Sequence, residues 1–259
     1  MLPLMRPGWM LAVLVLVAGC GPRGNPAVAV PTAFVPAPQA AQRLVVVLPG
    51  RGDDLRALER SGIATAVQDA WPDADVMLAE LAIGYYRAGI GPKRLHDDVI
   101  EPARARGYRE IWLLGASMGG MGVLLYDLTY PGELDGLVLL APYLGDRPIL
   151  EEISAAGGVA QWNAGPPREL GADTFQRELW RHIQGWSRDP AKARNVWLAY
   201  GDSDRLRDAM PVLAPALRPT QILVREGGHA WSVWSPAAKE IFSRIESSRR
   251  QDTSGGGAP

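Results

Sequence analysis

The sequence predicts an α/β fold with a mainly parallel central sheet and helices on both faces. Three observations favour this class. Short apolar runs rich in β-branched residues alternate with stretches that have the spacing of amphipathic helices. The chain of 259 residues, 47% hydrophobic and 21% charged, is long enough for one such domain. One apolar run ends in a Gly-x-Ser-x-Gly pattern that leads directly into a helical stretch.

Six segments are expected to form strands. The first reads Leu-Val-Val-Val-Leu at 44–48 and is apolar on both faces, as a buried parallel strand must be. The other five are 75–81, 110–114, 136–141, 195–200 and 220–225. Helical patterns lie between them at 55–70, 92–106, 118–128, 206–216 and 235–247. In such a fold, a site is expected at the carboxyl ends of the strands.

The interval 144–194 interrupts this alternation and is too long for a simple connection. We expect a small, mostly helical insertion that caps the sheet. Its large aromatic residues, Trp162, Phe175, Trp180 and Trp186, either line a pocket or only pack the insertion against the sheet.

Charge and cysteine content exclude several classes of protein. The 27 basic and 28 acidic residues give a net charge of −1, without the basic excess of a nucleic-acid-binding protein. A single cysteine excludes an internal disulfide and any metal site that needs several thiolates. We expect no metal and no cofactor, and the composition leaves the oligomeric state open.

The two ends of the chain are expected to lie outside the domain, which then spans 43–246. Residues 1–19 have the short apolar run of a signal peptide. The segment 20–42 is rich in Pro and Ala and is interpreted as an extended tether, and 247–259 as a disordered tail. Val17-Ala18-Gly19-Cys20 resembles the lipobox of bacterial lipoproteins. The resemblance implies a lipid anchor at Cys20 that holds a periplasmic or extracellular domain at a membrane of the cell envelope; a plain secretory signal is the alternative.

Gly115-Ala116-Ser117-Met118-Gly119 is the motif with the clearest chemical meaning. It follows the expected strand 110–114 and opens a helix, so the serine lies on a sharp turn that presents its hydroxyl to a substrate. A serine is a weak nucleophile and needs a base. His229, in Gly-Gly-His after the last strand, can supply it, and Asp202 or Asp204, after the preceding strand, can supply the acid.

With this order of Ser, Asp and His, the chain resembles the α/β-hydrolase superfamily over 43–246. The segment Gly-Gly-His-Ala-Trp-Ser-Val-Trp at 227–234 resembles the esterase-D-like branch of that superfamily. The resemblance implies the α/β-hydrolase fold and a serine hydrolase that cleaves a carboxylic ester through an acyl-enzyme. It also implies Asp204 as the acid, because Gly-x-x-Asp follows this strand in many members, with Asp202 as the alternative. The implied oxyanion donors are the backbone N–H groups of Met118 and Arg51. The loop Pro49-Gly50-Arg51-Gly52 departs from the family's His-Gly-x-Gly by having Pro49 in place of the histidine.

Substrate contacts are expected from Tyr143, Gly50 and Trp162, and the substrate is expected to be a small or lipid-like ester. Tyr85 and Tyr86 follow the second strand and could approach the mouth of the site. The guanidinium of Arg51 either faces the pocket or pairs with Asp53 or Asp54. The same triad would also serve an acyltransferase, thioesterase, lipase or peptidase. A binding module with a relict hydrolase fold is the alternative from another class.

Overall fold

The computed structural model describes residues 24–255, with side chains described to residue 251. Within residues 24–255, seven strands form one sheet in the order β1-β3-β2-β4-β5-β6-β7. Their bounds are Thr32–Val35 (β1), Arg43–Leu48 (β2), Ala74–Ala79 (β3), Glu110–Ala116 (β4), Gly136–Leu140 (β5), Val196–Gly201 (β6) and Ile222–Arg225 (β7). All neighbouring pairs are parallel except β1 with β3. The predicted mainly parallel sheet is confirmed.

The order of the strands creates a crevice at the middle of the sheet. The chain adds β3 on one side of β2 and then continues with β4 on the other side. Leu48 at the end of β2 is in register with Gly115 near the end of β4. The loops after these two strands therefore meet at the carboxyl edge, where doubly wound folds bind their ligands.

Helices cover both faces of the sheet and enclose two apolar clusters. One face is covered by α1 (Leu55–Arg60), α2 (Ile63–Ala70) and α10 (Trp231–Gly255). The other is covered by α3 (Ile83–Arg87), α4 (Gly91–Leu95), α5 (Glu101–Ala105), α6 (Met118–Thr129), α7 (Arg147–Ala155), α8 (Phe175–Arg188) and α9 (Met210–Leu213). The interval 144–194 contains α7 and α8.

Three of the expected helices are interrupted. Gly62 has a φ of +74° and separates α1 from α2, a backbone conformation that glycine adopts without strain. A π-helical turn, His96–Ile100, lies between α4 and α5. The stretch 206–216 forms α9 flanked by short 3₁₀ turns.

The N-terminal tether prediction is wrong for most of its length. Strand β1 lies inside the expected 20–42 segment and pairs with β3, with Thr32 opposite Ala79. Val30 is 5% exposed, and its N–H donates to Asp98. A strand forms here because the open edge of β3 offers unpaired backbone groups, which a sequence pattern does not reveal. The predicted signal peptide, 1–19, and Cys20 lie outside the described residues.

The C-terminal prediction is also wrong over its first part. Helix α10 continues to Gly255, beyond the expected domain end at 246. Arg249 donates to both carboxylate oxygens of Glu110 on β4, at 3.0 and 2.7 Å. This contact with the sheet stabilises a turn of helix whose own sequence is polar. Within residues 24–255, no helix combines the length and apolar character that crossing a membrane requires.

Candidate active site

Ser117 lies on a strained turn between β4 and α6. Its φ of 54° and ψ of −114° are unusual for a residue with a side chain. Its N–H donates to Leu140 O on β5 at 2.8 Å, which locks the turn to the sheet. A Cβ atom at Gly115 would lie 2.2 Å from Gly119 O, and one at Gly119 would lie 2.5 Å from Leu48 O. The turn can form only because both flanking positions are glycine.

The structure brings Ser117, His229 and Asp204 into one hydrogen-bonded chain. Ser117 Oγ is 2.8 Å from His229 Nε2. His229 Nδ1 is 2.8 and 2.9 Å from the two carboxylate oxygens of Asp204. The Asp204 side chain is fully buried and that of His229 is 11% exposed. With a proton on Nδ1, the ring donates to Asp204 and accepts from the serine, an arrangement that can activate a hydroxyl as a nucleophile.

Asp202, the alternative acid, has a different role in the loop. Its Oδ1 accepts the N–H of Gly227 at 3.0 Å and the hydroxyl of Ser203 at 2.9 Å. The hydrogen bond from Gly227 is the main cause of the lowered pKa of Asp202. Asp202 therefore joins its own loop to the loop that carries His229, while Asp204 contacts the imidazole.

Two tryptophans after His229 support its loop. The ring of Trp234 meets the His229 imidazole edge to face, with centroids 4.7 Å apart and an interplanar angle of 88°. Trp231 packs against Trp234 and donates from Nε1 to Asp53 at 2.9 Å. The His229 loop is thereby tied to the loop after β2.

The two residues expected to supply oxyanion donors both line the cavity that Ser117 lines. Met118 is the first residue of α6, so its N–H has no intrahelical acceptor. Arg51 lies in a turn that the N–H of Asp53 closes onto Gly50 O at 3.2 Å. Met118, Arg51 and Ser117 line the same cavity.

This cavity of about 520 Å³ opens next to Ser117. One wall is the face of α6 that carries Met118, Met121 and Leu125. Residues of α3, the cap residues 170–172 and 175, and Tyr143 are among the other residues that line it. Tyr143 donates to Asp146, and burial and this hydrogen bond raise the pKa of its hydroxyl.

The structure changes the expected set of substrate contacts. Tyr143 and Phe175 line the cavity, as does Tyr86, for which a place near the mouth was expected. Trp162 does not line it: the side chain is buried, and its Nε1 donates to Glu152 at 2.9 Å. Gly50 is not a lining residue either, although a Cβ there would lie 3.7 Å from Ser117 Cβ. Of these aromatic residues in the cap, Phe175 therefore lines the cavity while Trp162 packs in the apolar core.

Met121, Leu125 and the cap residues 170–172 were not predicted as lining residues. The spacing of Met118, Met121 and Leu125 places them on one face of a helix, so this signal was present in the sequence. No sequence signal marks 170–172, which reach the cavity only because the cap folds over the sheet.

The possible metal ligands lie elsewhere. Within residues 24–255, one group of three, His96, Asp97 and Glu101, has ligand atoms within 4.8 Å of one another. His96 is already hydrogen-bonded to Tyr126 at 3.1 Å, and Asp97 forms an ion pair with Lys93. None of the three lines the cavity. His182, the remaining histidine, lies 2.7 Å from Asp127.

Comparison with known proteins places this chain in a family. A family model described as serine aminopeptidase, S33, matches residues 94–250, a span that includes Ser117, Asp204 and His229. No curated protein matches the sequence significantly.

Solved structures share the fold at low sequence identity. Est1E from Butyrivibrio proteoclasticus is 15% identical with a TM-score of 0.59, covering 85% of this chain and 94% of its own. FphF, a fluorophosphonate-binding serine hydrolase from Staphylococcus aureus, is 13% identical with a TM-score of 0.56, covering 83% and 91%. A monoacylglycerol lipase from Paleococcus ferrophilus is 15% identical with a TM-score of 0.53, covering 84% and 99%. The chain therefore belongs to the serine aminopeptidase S33 family of α/β hydrolases.

Proposed function

We propose that this chain is a serine hydrolase that cleaves carboxylic esters, with Ser117 as nucleophile, His229 as base and Asp204 as the acid that orients the imidazole. The observation that carries the proposal is the hydrogen-bonded chain from Ser117 Oγ through the His229 ring to the buried Asp204 carboxylate. Ser117, at the end of this hydrogen-bonded chain, lines a largely apolar cavity.

In the proposed reaction, His229 Nε2 takes the proton of Ser117 while Oγ attacks the ester carbonyl carbon. The N–H groups of Met118 and Arg51 stabilise the negative oxygen of the tetrahedral intermediate. His229 then gives its proton to the departing alcohol, which leaves an acyl-Ser117 ester. A water molecule gives a proton to His229 and attacks this ester; the bond from the acyl carbon to Ser117 Oγ then breaks, His229 returns the proton to Oγ, and the acid is released.

The cavity favours an ester over the substrate that the family description suggests. An aminopeptidase must hold a free ammonium group, which calls for a carboxylate close to the nucleophile. The described residues that line this cavity include no Asp or Glu but do include Arg51, Arg87 and Arg205. An ammonium group would be repelled there, whereas an uncharged ester is accepted.

We also propose that Cys20 carries a lipid anchor, a reading that rests on the sequence around it. The structure bears on the distance to the membrane. Gly24 lies against α3: a Cβ there would be 2.9 Å from Ala82 Cβ and 3.0 Å from the Tyr85 ring. Three residues lie between Cys20 and Gly24, and the four residue-to-residue steps span at most about 14 Å. An anchor at Cys20 would therefore hold the α3 side of the domain close to the bilayer.

Hydrolysis of p-nitrophenyl esters with acyl chains from C2 to C16, together with labelling by a fluorophosphonate probe, tests the enzymatic proposal. The full chain is used because β1 belongs to the fold. It is purified in detergent because of the proposed lipid anchor. Ser117→Ala should abolish labelling and lower turnover by about 10³-fold or more. Ser154→Ala, which removes an exposed hydroxyl on α7, is the control and should keep both. Equal turnover in the two variants would refute the role of Ser117.

Metabolic labelling with an alkyne fatty acid in a bacterial host tests the anchor. The wild-type chain should take up the label and sediment with membranes, and Cys20→Ala should do neither. Wild-type protein that stays unlabelled would exclude the lipid anchor and leave the esterase proposal untouched.

A further inference from the structure

The charged residues that line the cavity all carry a positive charge. Its described lining residues include three arginines, Arg51, Arg87 and Arg205, and no acidic residue. The rest of the lining is mainly apolar, with Met121, Leu125 and Phe175 among its members. The cavity thus combines an apolar interior with an excess of positive charge.

The three arginines are exposed and have no ion-pair partner within residues 24–255. The carboxylates close to them in the chain are engaged elsewhere. Asp53 accepts from Trp231, Asp54 caps α1 through the N–H of Ala57, and Asp204 binds His229. The guanidinium groups therefore keep their donors available for a ligand.

The arginines come from three loops that flank Ser117. Arg51 follows β2, Arg87 is the last residue of α3 after β3, and Arg205 follows Asp204 after β6. In the sheet, β3 lies on one side of β2 and β4, and β6 lies on the other. The three arginines consequently reach the cavity lining from loops on both sides of the serine.

Among the described residues, two carboxylates are hydrogen-bonded to residues of the cavity lining: Asp204, which accepts from the N–H of Leu206 and also binds His229, and Asp146. The Asp146 carboxylate accepts from the hydroxyl of Tyr143 and from Gln176 Nε2. These hydrogen bonds are the main cause of its lowered pKa. Asp146 holds the cap against Tyr143 and is bound to no arginine of the mouth.

We propose that the preferred substrate is an ester that carries a second, anionic group, a carboxylate or a phosphate, which Arg87 and Arg205 bind at the mouth while the apolar part of the ester occupies the cavity. This inference rests on the proposed esterase function and adds the class of substrate to it. A guanidinium presents paired N–H donors that match two oxygens of a carboxylate or phosphate. Exposed contacts of this kind are modest, so we expect a preference of about threefold for each arginine and about tenfold for both.

Matched pairs of esters test the proposal on the full chain. The first pair is mono-p-nitrophenyl adipate and its methyl ester, which differ by one carboxylate at the acyl end. The second pair is 1-octanoylglycerol 3-phosphate and 1-octanoylglycerol, which differ by one phosphate on the alcohol. The measured quantity is the ratio of kcat/KM for the anionic ester to kcat/KM for its neutral partner.

The wild-type ratio should exceed one in at least one pair, and the pair that shows it identifies which end of the substrate carries the charge. The ratio should fall about tenfold in Arg87→Gln/Arg205→Gln and should fall with added salt, because salt screens exposed charges. Arg60→Gln removes an exposed arginine on α1 that does not line the cavity, and it should keep the wild-type ratio.

Failure of this inference differs from failure of the proposed function. Turnover of the neutral esters with a ratio of one or below, or a ratio unchanged in the double variant, would overturn the anionic substrate and leave the esterase standing. A further test needs no turnover: calorimetry measures the binding of monomethyl adipate, which carries one carboxylate, to the Ser117→Ala protein. Its affinity should fall about tenfold when Arg87 and Arg205 are also replaced, and an unchanged affinity would overturn the inference even in an enzyme that hydrolyses no ester.

Discussion

The centre of the carboxyl edge and the periphery of the domain are built by different kinds of contact. The centre comprises the Ser117 turn and the loops that carry Asp204 and His229. Each follows its strand at once and is held by close backbone packing, such as the 2.1 Å that would separate a Cβ at Gly201 from Gly227 O. The periphery comprises the cavity wall, β1 and the end of α10. There, residues far apart in the chain meet by pairing at a sheet edge, as Thr32 meets Ala79, or through side-chain contacts, as Arg249 meets Glu110.

From this difference we expect chemistry to depend on the centre and selectivity to depend on the periphery. Short turns leave the central groups little freedom, so a change there should alter the reaction itself. The periphery has more freedom, so a change there should alter which substrate is preferred or how stable the domain is. The four predictions below test this division, beginning with the largest expected effect.

Replacing each of the two aspartates after β6 by asparagine should distinguish the one that acts in the reaction from the one that only supports the loop. Asp204→Asn should lower kcat by about 10⁴-fold, because an amide cannot stabilise the imidazolium and favours the wrong tautomer. Asp202→Asn should lower kcat by less than about threefold, because the amide oxygen still accepts from Gly227. Steady-state kinetics on a p-nitrophenyl ester measures both. Similar losses in the two variants would contradict the assignment of Asp204.

Gly119→Ala should destabilise the domain by at least about 3 kcal/mol. The new methyl group would meet the backbone of Leu48 and Pro49, which cannot move without displacing β2. Gly185→Ala in α8 is the matched control: no heavy atom lies within 4 Å of the added Cβ, and the helix should gain about 1 kcal/mol. Urea denaturation measures both free energies of unfolding. A Gly119→Ala protein with wild-type stability would contradict the close packing of the turn.

Substitutions at Leu125 should change the preferred acyl length without removing the chemistry. Leu125→Trp fills part of the cavity and should lower the ratio of kcat/KM for the C8 ester over the C4 ester by about tenfold. Leu125→Ala enlarges the cavity and should raise this ratio. Both esters are measured on one preparation, so loss of folded protein cancels. Ratios that move together would show that the acyl chain binds elsewhere.

Removing the contact between Glu110 and Arg249 should produce the smallest change, a loss of stability that depends on pH. Burial by itself raises the pKa of Glu110, but hydrogen bonds from Arg249 and Trp112 outweigh it and leave the pKa below the ordinary value of 4.5. Because the folded pKa is the lower one, the stabilisation is present above pH 4.5 and is lost as the pH falls through the folded value. The half-buried position limits it to below about 1 kcal/mol.

Denaturation of wild type and Glu110→Gln between pH 7 and pH 3 measures this contribution. The difference in unfolding free energy should be largest near neutral pH and should shrink below pH 4.5. Lys239→Gln, which removes an exposed partner of Asp69, serves as a control for loss of any surface ion pair. A Glu110→Gln difference that does not vary with pH would show that the contact with Arg249 does not stabilise α10.

The sequence by itself determined the strand–helix alternation, the Ser117 turn and the short list of groups that accompany it. These features are local: β-branched runs, glycines that permit one turn and loops that directly follow strands are visible over a few residues. The order of the strands and the register that joins Leu48 to Gly115 were seen only in the structure.

Only the tertiary structure showed that Asp204 rather than Asp202 contacts the His229 ring, placed Tyr86 and Phe175 in the cavity lining, and placed Trp162 in the core. It also drew 30–35 and the end of α10 into the domain. The physical reason is the same in each case. An aspartate, a tryptophan or an edge strand takes its role from partners distant in the chain, and local sequence carries no record of which partner folding will bring within reach.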